Sequence, residues 1–187
     1  MDLILASASP RRAALLDQLG LRYRVCPADI DETPRAGEWP ANYVARMARE
    51  KAVAITPPDG SVVLAADTTI ALDGEILGKP VDRRDAQAML RRLSGSRHEV
   101  ITAIALRGAG QLLTEQVSTA VWFGELCDQQ IATYVATGEA DDKAGSYGIQ
   151  GRGAQFVKRI DGSYSGVVGL PLFETAALLR TLGMMVE

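Results

Sequence analysis

The 187-residue sequence is short of the residue types that the commonest catalytic devices need: it holds one histidine, two cysteines and only 5% aromatics. With His98 alone, neither a histidine-based metal site nor a Ser-His-Asp triad has the partners it requires. Cys26 and Cys127 lie far apart and form no CxxC pair, so they read as free, half-buried thiols of a cytoplasmic protein. Neither sign of charge dominates: the net charge is −3 and the pI about 5.3. A global basic field is therefore missing, and with aromatics scarce, neither nucleic acid nor an anionic membrane is expected as a partner. The opening Met-Asp-Leu-Ile-Leu-Ala has no basic n-region, and no apolar run approaches the ~20 residues of a membrane span. Linkers, low-complexity segments and internal repeats are also missing. What remains is a globular balance of 47% hydrophobic and 23% charged residues. It suits one domain over 1–187, with either one α/β core or two small lobes sharing a cleft.

The apolar pattern alternates between strand-like and helix-like periods. Leu3 to Ala6 read as a buried strand, and Ser9-Pro10 as the N-cap and first position of a helix that ends at Gly20. Arg22 to Cys26 form a second strand, followed by the acidic turn Asp29-Ile30-Asp31-Glu32-Thr33. Trp39-Pro40 opens a helix to about Ile55 with Tyr43, Val44, Met47 and Ala48 on its apolar stripe. Ser61 to Ala66 read as a buried strand, and Ile70 to Leu77 as a hairpin around Asp73-Gly74. Asp82 caps a helix closed by Leu93-Ser94-Gly95, with Asp85 three residues on. Two long strands, Glu99 to Leu106 and Leu112 to Phe123, are joined through Gly108-Ala109-Gly110. A helix starts at Asp128 and ends near Gly138. Residues Glu139 to Gly153 then break the rhythm with four glycines, and a loop this long inside a compact domain is usually functional. Strands flank Asp161-Gly162, and a last helix runs from about Leu172 to Gly183. The fold class is α/β, a mixed twisted sheet with flanking helices.

Several segments carry chemistry. Arg11 and Arg12 sit in the first turn of a helix, where the dipole already disfavours cations, so an anion held by N–H groups, Ser7, Ser9 and the guanidiniums would justify them. Asp67, read as following a buried strand, stands where open α/β sheets bind ligands. It can hold a divalent metal, deprotonate water, or merely close an Asx-turn. Glu32 is either a second metal carboxylate or a solvated side chain. Lys51, on the stripe of Met47 and Ala48, either snorkels or reaches an anion. Lys79 in Gly78-Lys79-Pro80 lacks a Walker context but can meet a phosphate as a point charge. In Asp142-Lys143-Ala144-Gly145-Ser146-Tyr147-Gly148-Ile149-Gln150-Gly151, glycines let backbone N–H groups approach a ligand, and the Gln150 amide suits a nucleobase edge.

In joint order and spacing these segments resemble the Maf family of nucleoside triphosphate pyrophosphatases, a group once described as septum-formation inhibitors. The match runs over nearly the whole chain, through Leu5-Ala6-Ser7-Ala8-Ser9-Pro10-Arg11-Arg12, Asp31-Glu32, Ala48-Arg49-Glu50-Lys51-Ala52, Ala66-Asp67-Thr68, Gly78-Lys79-Pro80, the Asp142–Gly151 segment and Val168-Gly169-Leu170-Pro171. The resemblance implies an inosine-triphosphatase-like fold with two lobes around a substrate cleft. It also implies hydrolysis of a nucleoside triphosphate to monophosphate and pyrophosphate with a divalent cation (Mg²⁺ or Mn²⁺), in the cytoplasm, by a homodimer. Arg11, Thr68 and Gln150 match the branch acting on dTTP and UTP. In the sister branch, which prefers 7-methyl-GTP, an aromatic residue, Gln and Glu tend to replace them.

Carried over residue by residue, the resemblance makes Asp67 the base, a metal ligand or both, which sequence does not separate, and Glu32 a metal carboxylate. Lys51, Lys79 and Arg12 become charge neutralisers of the triphosphate, Ser7 and Ser9 its cradle, and Arg11, Thr68 and Gln150 the readers of the base. The competing reading is a nucleotide-sensing regulator of cell division and septum formation without significant turnover. It would be marked by loss of Asp67 or of the acidic pair, and both are present.

Overall fold

The computed structural model describes residues 1–186; residue 187, the end of the span read as one domain, lies outside the described residues. Seven strands form one mixed sheet: β1 (Leu3–Leu5), β2 (Tyr23–Val25), β3 (Val62–Leu72), β4 (Glu75–Leu77), β5 (Arg97–Gly108), β6 (Gln111–Phe123) and β7 (Val157–Asp161). Their order is β2-β1-β3-β5-β6-β7, with β4 also on β3. β1 is parallel to both β2 and β3, and the remaining pairs are antiparallel. The helices are α1 (Pro10–Asp17), α2 (Pro40–Ala54), α3 (Arg83–Leu93), α4 (Asp128–Val135), α5 (Tyr164–Val168) and α6 (Leu172–Thr181).

Three long strands, β3, β5 and β6, run through two packing environments. In the first lobe α2 lays Val44, Ala48 and Ala52 on one sheet face, against Ile4, Val63, Ala65 and Ala105. On the opposite face, Leu15 and Leu16 of α1 and Leu179 of α6 cover Leu3, Leu5, Leu64 and Ile104. In the second lobe, Leu90 and Leu93 of α3 and Ile131 and Tyr134 of α4 pack on Leu72, Leu77, Val100 and Val121. The helices thus alternate with strands as their apolar stripes require. Asp82 caps α3 as read, its Oδ1 accepting from Asp85 N at 2.8 Å, while the Asp85 carboxylate reaches past the cap residue to accept from Val81 N at 3.0 Å.

Four local readings are corrected. The segments read as a strand at Ser61–Ala66 and a separate hairpin arm at Ile70–Leu72 are one strand, because β5 pairs with β3 without a break from Val63 to Ala71. Asp67, Thr68 and Thr69 therefore lie mid-strand, and their polarity marks a site rather than a chain reversal. After Asp161-Gly162 the chain forms α5 instead of a strand, since Ser163 Oγ accepts from Gly166 N at 3.0 Å and starts a helix. Ser9 has the extended backbone of an N-cap, but its hydroxyl makes no capping bond; its own N–H donates to Ser7 Oγ at 3.2 Å. Cys26 and Cys127 are both exposed, not half-buried.

One topological detail positions the site. β5 covers one edge of β3 throughout. The other edge meets β1 at Val62–Leu64 and β4 at Ile70–Leu72. Between those partners, residues 65–69 have no strand beside them. The sheet is interrupted where the lobes meet, and Asp67 and Thr68 stand in the gap.

Candidate active site

The gap is the floor of a cavity of about 1010 Å³. Its walls come from the β1–α1 turn, the loop after β2, α2, the turn after β4, the glycine-rich loop and the end of α5. All ten residues singled out from sequence line it: Ser7, Ser9, Arg11, Arg12, Glu32, Lys51, Asp67, Thr68, Lys79 and Gln150. Residues separated by up to 143 positions in the chain thus meet in one place.

Asp67 is buried, only 6% exposed, and faces Lys51 of α2, which is equally enclosed at 7%. Lys51 Nζ lies 2.7 Å from Asp67 Oδ1 and 2.9 Å from Glu32 Oε1. Lys51 therefore does more than snorkel: its stem runs along the face of α2 that packs on the sheet, and its ammonium bridges two carboxylates. Burial pushes the Asp67 carboxyl above the usual carboxylate range, against the opposing pull of the Lys51 and Arg12 charges. Such a group is more basic than a solvated aspartate while a cation at 2.7 Å still favours its ionised form.

Arg12 is held by three partners. Nε donates to the Gly169 carbonyl at 2.9 Å, Nη1 to Ser7 Oγ at 3.2 Å and Nη2 to Thr68 Oγ1 at 3.3 Å. The Val168-Gly169-Leu170-Pro171 segment thereby acquires a purpose, the presentation of a carbonyl to the guanidinium. Burial lowers the pKa of Arg12, with Asp67 and Glu32 opposing and Arg11 reinforcing the shift. Beyond Arg12 the bonds have a direction. Thr102 Oγ1 gives its proton to the Gly166 carbonyl at 2.8 Å, so the 2.9 Å contact between Thr68 and Thr102 has Thr68 as donor. Thr68 receives from Arg12 and donates to Thr102, which leaves it able to offer a ligand an acceptor only.

Arg11 points the other way and pairs with Asp142 across the mouth of the cleft at 3.1 Å. Lys79 is exposed on the turn after β4, whose Gly78 carbonyl accepts from Gly145 N at 3.0 Å. That bond joins the turn to the glycine-rich loop. At Gly145 the backbone has φ +63°, and a Cβ would lie 2.6 Å from Ile70 Cδ1, so glycine is required twice over. Gln150 is exposed at the crest of the same loop.

Sequence reasoning missed the supports. Tyr43, assigned only to the apolar stripe of α2, also lines the cavity, and its hydroxyl donates to the Glu32 carbonyl at 3.0 Å. Its place two turns before Lys51 on one helical face was the available signal. Arg46 grips Glu38 through Nε at 2.7 Å and Nη2 at 2.6 Å, and donates from Nη2 to the Thr33 carbonyl at 3.2 Å. Thr102 and Glu139 had no local signal, since each acts through partners distant in sequence.

No group of three His, Cys, Asp or Glu side chains converges among the described residues. The pair Asp67 and Glu32 nevertheless suits a hard divalent cation of the kind that binds one or two carboxylates and completes its shell with phosphate oxygens and water. The two already share a cation, the Lys51 ammonium. Asp67 Oδ2 and Glu32 Oε2 accept no hydrogen bond from the described residues.

A mixed sheet opened in the middle at the buried Asp67, with cationic side chains and a glycine-rich loop around the opening, gives an α/β protein with a Ham1-like fold. A Ham1 protein from Coxiella burnetii superposes with a TM-score of 0.54 at 18% identity, covering 97% of this chain and 99% of that one. More narrowly, the chain belongs to the Maf family, whose model, described as Maf-like protein, matches residues 2–182. Among curated relatives, a dTTP/UTP pyrophosphatase of Anaeromyxobacter dehalogenans is 56% identical over 97% of this chain and 94% of its own. One of Hahella chejuensis is 50% identical over 98% and 94%.

Proposed function

We propose that the protein is a nucleoside triphosphate pyrophosphatase that hydrolyses dTTP and UTP to the monophosphate and pyrophosphate. The observation that carries this reading is the buried Asp67 carboxylate in the sheet gap, with one oxygen on Lys51 and the other open to a cavity ringed by Arg12, Arg11 and Lys79. The names of relatives at 50–56% identity supply the nucleotides.

In this reading Asp67 Oδ2 takes a proton from water as the water oxygen bonds to the α-phosphorus. The bond from that phosphorus to the bridging oxygen breaks, and pyrophosphate leaves with its electron pair. The raised basicity of Asp67 brings it nearer the working pH, as a general base requires. Lys51 holds Asp67 in place, and Arg12 and Lys79 face the charge on the triphosphate. Ser7 and Ser9 offer hydroxyls at the start of α1, where backbone N–H groups lack helical acceptors. Asp67 and Glu32 would hold a divalent cation, Mg²⁺ or Mn²⁺, which neutralises phosphate charge and polarises the scissile bond. Arg11, Thr68 and Gln150 read the base; Gln150 can donate to a pyrimidine carbonyl and accept from N3–H, and Thr68 can only accept.

The reading extends to a cytoplasmic homodimer. Two exposed, unpaired thiols suit a reducing compartment, and no described helix is long and apolar enough to cross a membrane. Light scattering with the nucleotide bound tests the dimer. For the activity, pyrophosphate release is measured across a nucleotide panel with Mg²⁺ or Mn²⁺. Turnover of UTP and dTTP above purine triphosphates is expected, and binding without pyrophosphate release would return the protein to the class of nucleotide sensors.

A further inference from the structure

Glu139 opens the glycine-rich loop, and its side chain turns back beneath it. Oε1 accepts from Gly153 N at 3.1 Å and from the Tyr134 hydroxyl at 3.0 Å, and Oε2 accepts from Arg152 N at 2.8 Å. Tyr134, buried in α4, takes Gly148 N on its own oxygen at 3.3 Å. Three backbone N–H groups of residues 148–153 thus end on one carboxylate–phenol pair. Gly151 rests directly on it, for a Cβ there would lie 2.5 Å from the carboxyl carbon and from both oxygens. Backbone donors in a turn must find acceptors, and here Glu139 takes two of them and the Tyr134 oxygen the third. Gln150 stands at the crest of the segment so held.

A carboxylate with neither a cation nor hydrogen-bond donors on it would repel the phosphates proposed for this cavity. Glu139 lines it, yet both of its oxygens already face N–H or O–H donors. Partial burial works against its charge, but the N–H groups of Gly153 and Arg152 and the Tyr134 hydroxyl outweigh it and keep the carboxyl ionised.

We infer that Glu139 is a positioning residue for base selection: it fixes the backbone of residues 148–153 so that the Gln150 amide meets the nucleobase, without itself touching substrate. The inference rests on the proposed reading of Gln150 as a reader of the base.

Glu139→Gln keeps the size and one carbonyl oxygen but sets an NH₂ group against Arg152 N–H, donor facing donor. Gly151→Ala keeps the carboxylate and pushes it aside, and it replaces Glu139→Gln should that variant fail to fold. kcat/KM for UTP and for 7-methyl-GTP is measured on the wild type, both variants, Gln150→Ala and the Glu139→Gln/Gln150→Ala double, with inhibition by inorganic tripolyphosphate alongside. Each single change is expected to lower the UTP to 7-methyl-GTP ratio about tenfold, the double no further than its lower single, with tripolyphosphate inhibition unchanged. If Gln150→Ala lowers the ratio while Glu139→Gln and Gly151→Ala leave it alone, the base reading stands and the role of Glu139 falls. Effects that multiply in the double variant, or tripolyphosphate inhibition lost in parallel, overturn it equally. An unchanged ratio in Gln150→Ala overturns the base reading itself, and the role of Glu139 with it.

Discussion

Asp67 and Lys79 show how differently two charged residues of one cleft can be placed. Lys79 is exposed, so its charge is screened by solvent, whereas Asp67 is enclosed with Lys51 at 2.7 Å. The environment of Asp67 is costly for a carboxylate unless it is paired, and pairing through one oxygen leaves the other for chemistry. Asp67→Asn keeps the shape and an oxygen for Lys51, so triphosphate binding should survive while turnover falls by roughly 10²–10⁴. Steady-state rates at saturating Mg²⁺ check this, and a near-wild-type kcat would remove Asp67 as the base. His98 is the other buried titratable residue with a consequence. Burial, helped by the Arg97 charge, drops its pKa to about 4, while Nε2 meets the Tyr147 hydroxyl at 2.8 Å. The folded state keeps this imidazole neutral, whereas the unfolded chain protonates it below about 6.5. Stability is therefore lost as pH falls from 6.5 towards 4, on the order of 3 kcal/mol in all. Urea unfolding at pH 7, 5.5 and 4.5 should show that slope, and His98→Gln should flatten it.

At the scale of elements, the least regular segment carries one of the most exposed functional groups. Residues 26–39 contain neither helix nor strand, yet Glu32 must arrive at Lys51. The segment is ordered from outside, by α2. Tyr43 holds the Glu32 carbonyl, Arg46 holds the Thr33 carbonyl and both oxygens of Glu38, and Arg35 reaches Glu50 at 3.5 Å. The Arg46 fork, with the Arg35 N–H, draws the Glu38 carboxyl down to about 2. Arg46→Ala should release the segment and lower kcat/KM by about tenfold to a hundredfold, as loss of a supporting partner commonly does. Combining it with Glu32→Gln separates the causes: little further loss means Arg46 acts through Glu32, and multiplied losses mean that it does not.

At the scale of the whole molecule, the proposed base selection draws on three elements far apart in the chain. Arg11 comes from α1, Thr68 from the open edge of β3 and Gln150 from the glycine-rich loop, and all face one cavity. A 7-methylguanine ring is cationic and larger than uracil, so it suits a carboxylate and an aromatic face, and Arg11 repels it. Arg11→Trp with Thr68→Gln and Gln150→Glu should move preference from UTP towards 7-methyl-GTP by about tenfold to a hundredfold. The triple change also leaves Asp142 with Lys143 alone and breaks the bonds from Arg12 through Thr68 to Thr102, so absolute rates should drop. The ratio of kcat/KM values is the measurement that decides, and an unchanged ratio would show that these positions do not read the base.

By itself the sequence determined what local rules determine. Pro10 and Asp82 mark helix starts, the stripe from Tyr43 to Lys51 gives the inward face of α2, and Asp73-Gly74 gives the hairpin, because caps, turns and apolar periods act over a few residues. Residue types and motif order also singled out ten residues that meet in one cavity, since phosphate and base chemistry admits few side chains. What sequence misplaced was Asp67, whose polar neighbours look like the end of a strand. Only pairing with β5 on one edge, and the spacing of β1 and β4 on the other, makes that stretch a gap in a continuous sheet. The tertiary structure alone decided that Lys51 bridges Asp67 and Glu32, that Arg12 ends on Gly169, and that Glu139 underlies the loop of Gln150. Those contacts join residues from 13 to 157 positions apart, from Arg152–Glu139 through Lys51–Asp67 to Arg12–Gly169. No local preference encodes such a contact, because its geometry exists only once the sheet and helices have packed.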